Sequence, residues 1–244
     1  MSRVPRVFVS SPIVAGQCLK LDGEAAAHLG RVLRARTGDA VVLFDGRGPE
    51  FDAEIVTAGR RGIELLVGAG RDTARESPLQ LVLLQGISRP ERMDWVLRKA
   101  TELGVASLRP VMTERSVVKL DSERAARRLQ HWQAILVSAC EQCGRNRLPE
   151  LLEPLPLDAA VSAHAGAQGV LLDPEADRGP ESLPAPSGPL CLLVGPEGGL
   201  DGRERAAARA AGYIGVRLGP RILRTETAAI AGIALLQARF GDLR

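Results

Sequence analysis

Two glycine-rich segments carry residues whose types and spacing could do chemistry. In LLVGPEGGL, residues 192–200, an apolar run ends in Gly195-Pro196-Glu197-Gly198-Gly199 and a helical pattern follows. Glycines at the carboxyl end of a strand let a ligand approach the backbone closely and permit positive φ. The segment is not a phosphate loop, because the G-x-x-x-x-G-K-[ST] spacing and its lysine are missing, and it is not a G-x-G-x-x-G dinucleotide loop. On spacing alone, a plain strand-to-helix turn and a cofactor loop both remain open. In LGPRILRTETAAIAGIALLQARFG, residues 218–241, a second strand ends in Gly219 and an Arg224-Thr225-Glu226-Thr227 cluster opens a helix. Thr225 or Thr227 can cap that helix and Glu226 suits its positive end. The helix body, residues 228–236, is apolar nearly all round, which predicts burial on every side.

The pattern of the remaining chain says what must position these segments. Residues 1–70 read as short strands at 7–9, 18–21, 40–44, 52–57 and 63–67, broken by turn residues, with one short helix at 24–33. Many short strands at close spacing suggest a small barrel. After Ser77-Pro78 the pattern changes. The continuous apolar run 79–87 suits a buried parallel strand. Met93, Val96, Leu97, Ala100 and Leu103 then recur at helical spacing until Gly104. Further strands at 107–112, 169–172, 191–194 and 215–218 alternate with helices at 121–143, 202–211 and 227–240. This alternation predicts an α/β domain with a largely parallel sheet. The expected division is residues 1–72 and residues 73–244.

Composition narrows the field only a little. The net charge is +3, too small to demand a nucleic-acid partner. Residues 73–150 hold 13 basic and 9 acidic side chains, nearly all the bases being arginine. That excess suits either GC-rich codon usage or phosphate contact by guanidinium forks. The four cysteines include one Cys140-x-x-Cys143 pair without a second pair or matching histidines, so reduced thiols and no metal site are expected. No apolar run approaches the roughly 18–20 residues that span a bilayer. Arg3, Pro5 and Arg6 break the N-terminal stretch, so no membrane association and a cytoplasmic location are the expectation.

Taken with PRVFV, HLGRVLR, LFDG, ESPL, KATELGV, ERSVVKLDSER and ACEQCGRN, the two loop segments resemble the RsmE family over essentially the whole chain. These are bacterial small-subunit rRNA uridine N3-methyltransferases of the SPOUT superfamily. The resemblance implies a PUA-like β-barrel RNA-recognition domain at 1–72 and a SPOUT α/β-knot methyltransferase domain at 73–244. It also implies a trefoil knot formed by the C-terminal segment and a homodimer built through the knotted domain. The implied cofactor is S-adenosylmethionine, and the implied partner is a uridine of 16S rRNA within the small ribosomal subunit.

Carried onto this sequence, the cofactor pocket falls on Leu172, Leu193, Val194, Gly195, Pro196, Gly198, Gly199, Leu218, Gly219, Ile222, Leu223 and Thr225. A branched side chain at Gly198 or Gly199 is expected to fill the space the ligand needs. The RNA-facing residues fall on Arg6, His28, Arg31, Arg34, Arg115, Lys119, Arg145, Asn146 and Arg147. Uridine N3 is a poor nucleophile while protonated. Arg224 could therefore stabilise negative charge developing on the uracil carbonyls, and Glu226 or Glu197 could accept the proton.

Overall fold

A computed structural model describes residues 4–27, 29–30, 35–59, 62–73, 75–116 and 122–243, with the backbone alone at Glu24 and 122–124. His28, Arg31, Arg34 and Lys119 lie outside these residues. The chain divides into two units, Met1–Glu76 with Cys140–Leu148 and Ser77–Ala139 with Pro149–Arg244.

The first unit contains β1 (Arg6–Phe8), β2 (Cys18–Leu21), α1 (Gly23–Ala27), β3 (Ala40–Phe44), β4 (Pro49–Gly59) and β5 (Gly62–Asp72). Their order in the sheet is β1-β3-β4-β5-β2, parallel between β1 and β3 and antiparallel elsewhere. Alternate residues of β5, Ile63, Leu65 and Val67, are buried while their neighbours face out, the period of a half-buried strand. They share a core with Val7, Leu19, Leu29, Leu43 and Ile55. The β4–β5 hairpin is longer at both ends than its apolar runs predict, because backbone pairing continues through exposed residues such as Arg71 opposite Glu50.

Residues 140–148 join this unit through charge as well as packing. The Glu50 carboxylate, 1% exposed, accepts from Arg6 at 2.5 Å, Arg71 at 2.8 Å and Arg75 at 3.1 Å. Arg6 also donates to Asn146 Oδ1 at 2.5 Å, and Arg145 pairs with Glu76 at 2.5 Å. Burial would raise the Glu50 pKa, but the hydrogen bonds from Arg71 and Arg6 and the nearby charges of Arg6 and Arg75 outweigh it and hold the carboxyl at about 2. Burial pushes the Cys140 thiol up to about 12.

The second unit is a seven-stranded, wholly parallel sheet. Its strands are β6 (Leu81–Gly86), β7 (Ser107–Met112), β8 (Glu150–Leu151), β9 (Leu155–Pro156), β10 (Gln168–Leu172), β11 (Leu190–Val194) and β12 (Ile214–Val216). The order is β12-β10-β11-β6-β7-β8, with β9 also on β7. Every residue of β6 and β11 is buried, as continuous apolar runs require when both sheet faces are covered. One face packs on α2 (Pro90–Glu102), α3 (Ser122–Cys143) and α6 (Thr225–Phe240), through Val96, Trp132, Leu136 and Ile233. The other packs on α4 (Leu157–Ala163) and α5 (Gly202–Ala210), through Val161 and Ala208.

Two expectations fail in detail. No side chain caps α6: Arg224 is its N-cap residue and makes no cap hydrogen bond. Thr225 is turned inward instead, as described below. Nor is α6 buried on every side within one chain. Ala229, Gly232, Ile233 and Leu236 are buried, but Leu235 is 44% exposed. The apolar composition reaches round the helix; the sheet covers only one side of it.

Candidate active site

The chain reverses direction across the sheet at β10, which has β11 on one side and β12 on the other. Open parallel sheets bind ligands outside the carboxyl ends of their strands at such a point. A cleft of about 310 Å³ opens there. Its walls are the ends of β10 (Leu172–Glu175), β11 (Val194–Leu200) and β12 (Val216–Leu218), the stretch Arg221–Leu223, and Thr225 and Ala228 of α6. Arg115 and Arg205 complete it.

Close backbone approaches hold the Gly195–Gly199 turn in place. A Cβ on Gly86, the last residue of β6, would sit 2.5 Å from the Pro196 nitrogen. A Cβ on Gly198 would sit 2.9 Å from the Arg115 Cβ and 3.2 Å from its carbonyl oxygen. The Arg115 guanidinium in turn donates to the Gly198 carbonyl at 3.1 Å. Gly198 is therefore required by the close packing of Arg115, a reason the sequence did not suggest, and it also lines the cleft. Gly199 has φ +68 with nothing near its missing side chain, so it answers to backbone conformation.

Thr225 and Gln85 tie this turn to α6. The Thr225 hydroxyl donates to the Gly195 carbonyl at 2.7 Å, and Gln85 Nε2 donates to Thr225 Oγ1 at 3.0 Å. Both residues are buried, Thr225 5% and Gln85 1% exposed. Gln85 was not singled out from sequence; one polar residue inside an otherwise apolar strand was the available signal.

The charged groups of the cleft differ in how they are engaged. Asp173 is fully buried, with Arg209 at 2.6 Å and the Glu175 amide at 3.0 Å. Glu175 pairs with Arg205 at 2.9 Å. Glu197 Oε1 accepts the Arg89 amide at 2.9 Å and faces Arg92 at 3.5 Å, while its Oε2 is buried without a partner.

The cleft brings together ten of the twelve expected cofactor residues, Leu172, Val194, Gly195, Pro196, Gly198, Gly199, Leu218, Ile222, Leu223 and Thr225, with Glu197. It leaves out Leu193, whose side chain alternates onto the opposite sheet face with Leu171 and Cys191. It also leaves out Gly219, Arg224 and Glu226. Arg224 is exposed and makes no side-chain hydrogen bond or ion pair among the described residues. Of the expected RNA-facing residues, Arg147 is exposed and Arg115 lies on the cleft. Arg6, Arg145 and Asn146 have buried side chains in the ion network of the first unit, where Arg6 Nε and Asn146 Nδ2 have no hydrogen-bond partner among the described residues. Asp173, Glu175, Arg205, Arg217 and Arg221 were missed, since isolated charges in loops carry no periodic signal.

Residues 75–237 match the model of an RNA methyltransferase domain, and residues 21–68 match that of an RNA methyltransferase PUA domain. The chain is 33% identical over 242 residues to the ribosomal RNA small subunit methyltransferase E of Buchnera aphidicola subsp. Schizaphis graminum, covering 99% of this chain and 98% of that one. It belongs to the ribosomal RNA small subunit methyltransferase E family. The Bacillus subtilis member of this family is 31% identical, with 92% of this chain and 91% of that one covered. A crystal structure of the Neisseria gonorrhoeae member, bound to S-adenosylmethionine, superposes with a TM-score of 0.93 at 37% identity over 99% of this chain and 100% of that one. A Legionella pneumophila protein described as a methyltransferase, in complex with the same cofactor, gives 0.95 at 39% identity over 99% and 100%.

Proposed function

We propose that this protein transfers a methyl group from S-adenosylmethionine to N3 of a uridine in 16S rRNA, within the small ribosomal subunit in the cytoplasm. The observation that carries the reading is the cleft at the carboxyl ends of β10, β11 and β12, in a chain similar to two solved proteins that hold that cofactor. Its residues fit the molecule. About 310 Å³ falls in the range of small-molecule sites. Leu172, Val194, Leu218 and Leu223 offer apolar surface for the adenine ring. Glu175, whose side chain is 66% exposed, lies on the same cleft, where a hydroxyl or ammonium donor of the ligand would find an acceptor.

The bound cofactor supplies a methyl group already activated on a sulfonium. The protein's remaining work is to align the acceptor, accept the N3 proton and stabilise charge on the uracil carbonyls. Glu197 is assigned as the proton acceptor because it lines the cleft, whereas Glu226 lies outside the cleft lining; each has a buried Oε2 without a partner. Arg224, exposed at the N-terminus of α6, is assigned to the carbonyl oxygens. Arg115 and Arg147 are assigned to RNA phosphates, with His28, Arg31, Arg34 and Lys119 from the sequence. Arg6, Arg145 and Asn146 serve the RNA surface by fixing its shape. The apolar, half-covered α6 supports a homodimer, and the knotted C-terminal segment expected of SPOUT proteins belongs to the same proposal.

The decisive experiment is methyl transfer to small ribosomal subunits that lack the modification, followed by nucleoside mass spectrometry. The expected product is 3-methyluridine at one site. Methylation of another atom or another nucleotide would replace this reading.

A further inference from the structure

Buried polar side-chain atoms ordinarily find partners, and an orphaned one marks a place where something is missing. Among the described residues, three orphaned acceptors belong to residues at the ends of β6 and β11 and the start of α6. They are Oε1 of Gln85, Oε2 of Glu197 and Oε2 of Glu226. Gln85 reaches this place through Thr225, the neighbour of Glu226. The two carboxylates share one cation. Arg92 of α2 holds its Nη1 3.5 Å from Glu197 Oε1 and its Nε 3.9 Å from Glu226 Oε2.

Those separations decide what Arg92 does. They exceed the 2.7–3.2 Å of a direct N–H···O bond, so the guanidinium attracts both carboxylates without occupying the orphaned oxygens. Contrast Asp173, which Arg209 engages at 2.6 Å. One positive charge between two negative ones leaves a surplus of acceptor capacity beside the cofactor turn. Neither orphaned carboxylate oxygen has a proton-bearing hydrogen-bond partner among the described residues, and Glu197 is a residue of the cleft lining.

We propose that Arg92 is a positioning residue for methyl transfer: it holds Glu197 and Glu226 together so that the free oxygen of Glu197 takes the proton of the acceptor nitrogen. This rests on the methyltransferase reading above. In the step, the N3–H bond breaks and its electron pair forms the N–CH3 bond. The C–S pair returns to sulfur, and the proton passes to the Glu197 carboxylate. Arg92 itself touches no reacting atom.

The test uses the full chain with Arg92→Met, Arg92→Lys, Glu197→Gln and the Arg92→Met/Glu197→Gln double variant. Single-turnover methylation of unmodified small subunits is measured beside calorimetric S-adenosylmethionine binding and melting. Arg92→Met is expected to slow the saturated rate by about 10–100-fold, part of what a positioned base contributes. Its cofactor Kd and half-saturating RNA concentration should stay within about threefold. Arg92→Lys should restore most of the rate, because attraction at 3.5–3.9 Å needs a charge and not a planar fork. The double variant should be no slower than Glu197→Gln alone. The proposal is overturned if Arg92→Met loses cofactor affinity and melting temperature in step with rate, if Lys rescues no better than Met, or if the two losses multiply. A wild-type protein that makes no 3-methyluridine would instead overturn the functional reading itself.

Discussion

At the scale of single residues, Arg224 and Glu50 show how differently the same charged chemistry can be used. Arg224 stands free at the start of α6, while Glu50 is enclosed by three arginines. Because Arg224 has no anchoring contact among the described residues, its loss should be felt in chemistry and not in folding. Arg224→Ala is expected to lower single-turnover methylation by about 100-fold, the scale of removing one electrostatic donor. Cofactor affinity and melting temperature should barely move, and Arg224→Lys should recover only part of the rate. Loss of affinity and stability in proportion to rate would make Arg224 a structural anchor instead. Glu50 predicts the converse. Its pKa is depressed from 4.5 to about 2 in the folded chain. The stability it contributes, up to about 3 kcal/mol, is present above its unfolded pKa and lost as pH falls from about 5 toward 2. Melting curves of the wild type should therefore decline over that interval, and Glu50→Gln should flatten the decline while lowering stability at pH 7. A parallel pH slope in both proteins would show that Glu50 is not the titrating group.

At the scale of elements, the sequence displayed the longer strands and helices and the two glycine turns, because hydrophobic period and turn chemistry are local signals; β8, β9 and α4, two to seven residues long, were not read from it. It did not display what holds the turns. Gly86 looks like an ordinary strand end, yet its missing Cβ is what admits Pro196; Gly198 looks like a ligand-facing glycine, yet it also packs on Arg115. Both reasons are contacts between segments over eighty residues apart along the chain, which a single sequence does not encode. The Thr225 reading failed similarly: a hydroxyl suited to capping was drawn inward by the Gly195 carbonyl and Gln85. The consequence is testable at Gly86. Gly86→Ala adds one methyl at 2.5 Å from backbone that has no flexible side chain to yield. The Gly195–Gly199 turn must shift, and cofactor affinity is expected to fall at least tenfold by calorimetry. Gly199→Ala, at φ +68 with open space, should instead cost about 1 kcal/mol of backbone strain and leave more of the affinity. If Gly86→Ala binds the cofactor as tightly as wild type, the turn is more compliant than the packing implies.

At the scale of the whole molecule, the division along the chain and the division in space do not coincide. The pattern change near residue 72 marks where strand-rich punctuation gives way to α/β alternation, and periodicity alone places everything after it in one body. Cys140–Leu148 group with the first unit in space, and Arg145 and Asn146 join its ion network. A fragment beginning at Thr73 would retain Glu76 opposite Arg145 but lose Arg6 opposite Asn146. Removing Arg6 takes from the buried Asn146 Oδ1 its charge-assisted hydrogen bond. Among the described residues, none before Ser77 forms the seven-stranded sheet or lines the candidate cleft. The fragment is therefore expected to fold and bind S-adenosylmethionine within about threefold of the full chain. Its amides at 140–148 should exchange with solvent at least tenfold faster, and its methylation of ribosomal subunits should fall by about 100-fold or more as recognition surface is lost. Hydrogen exchange read by mass spectrometry separates the two claims. Unchanged protection at 140–148 would place that segment with the second unit after all, and full activity of the fragment would remove the first unit from substrate recognition.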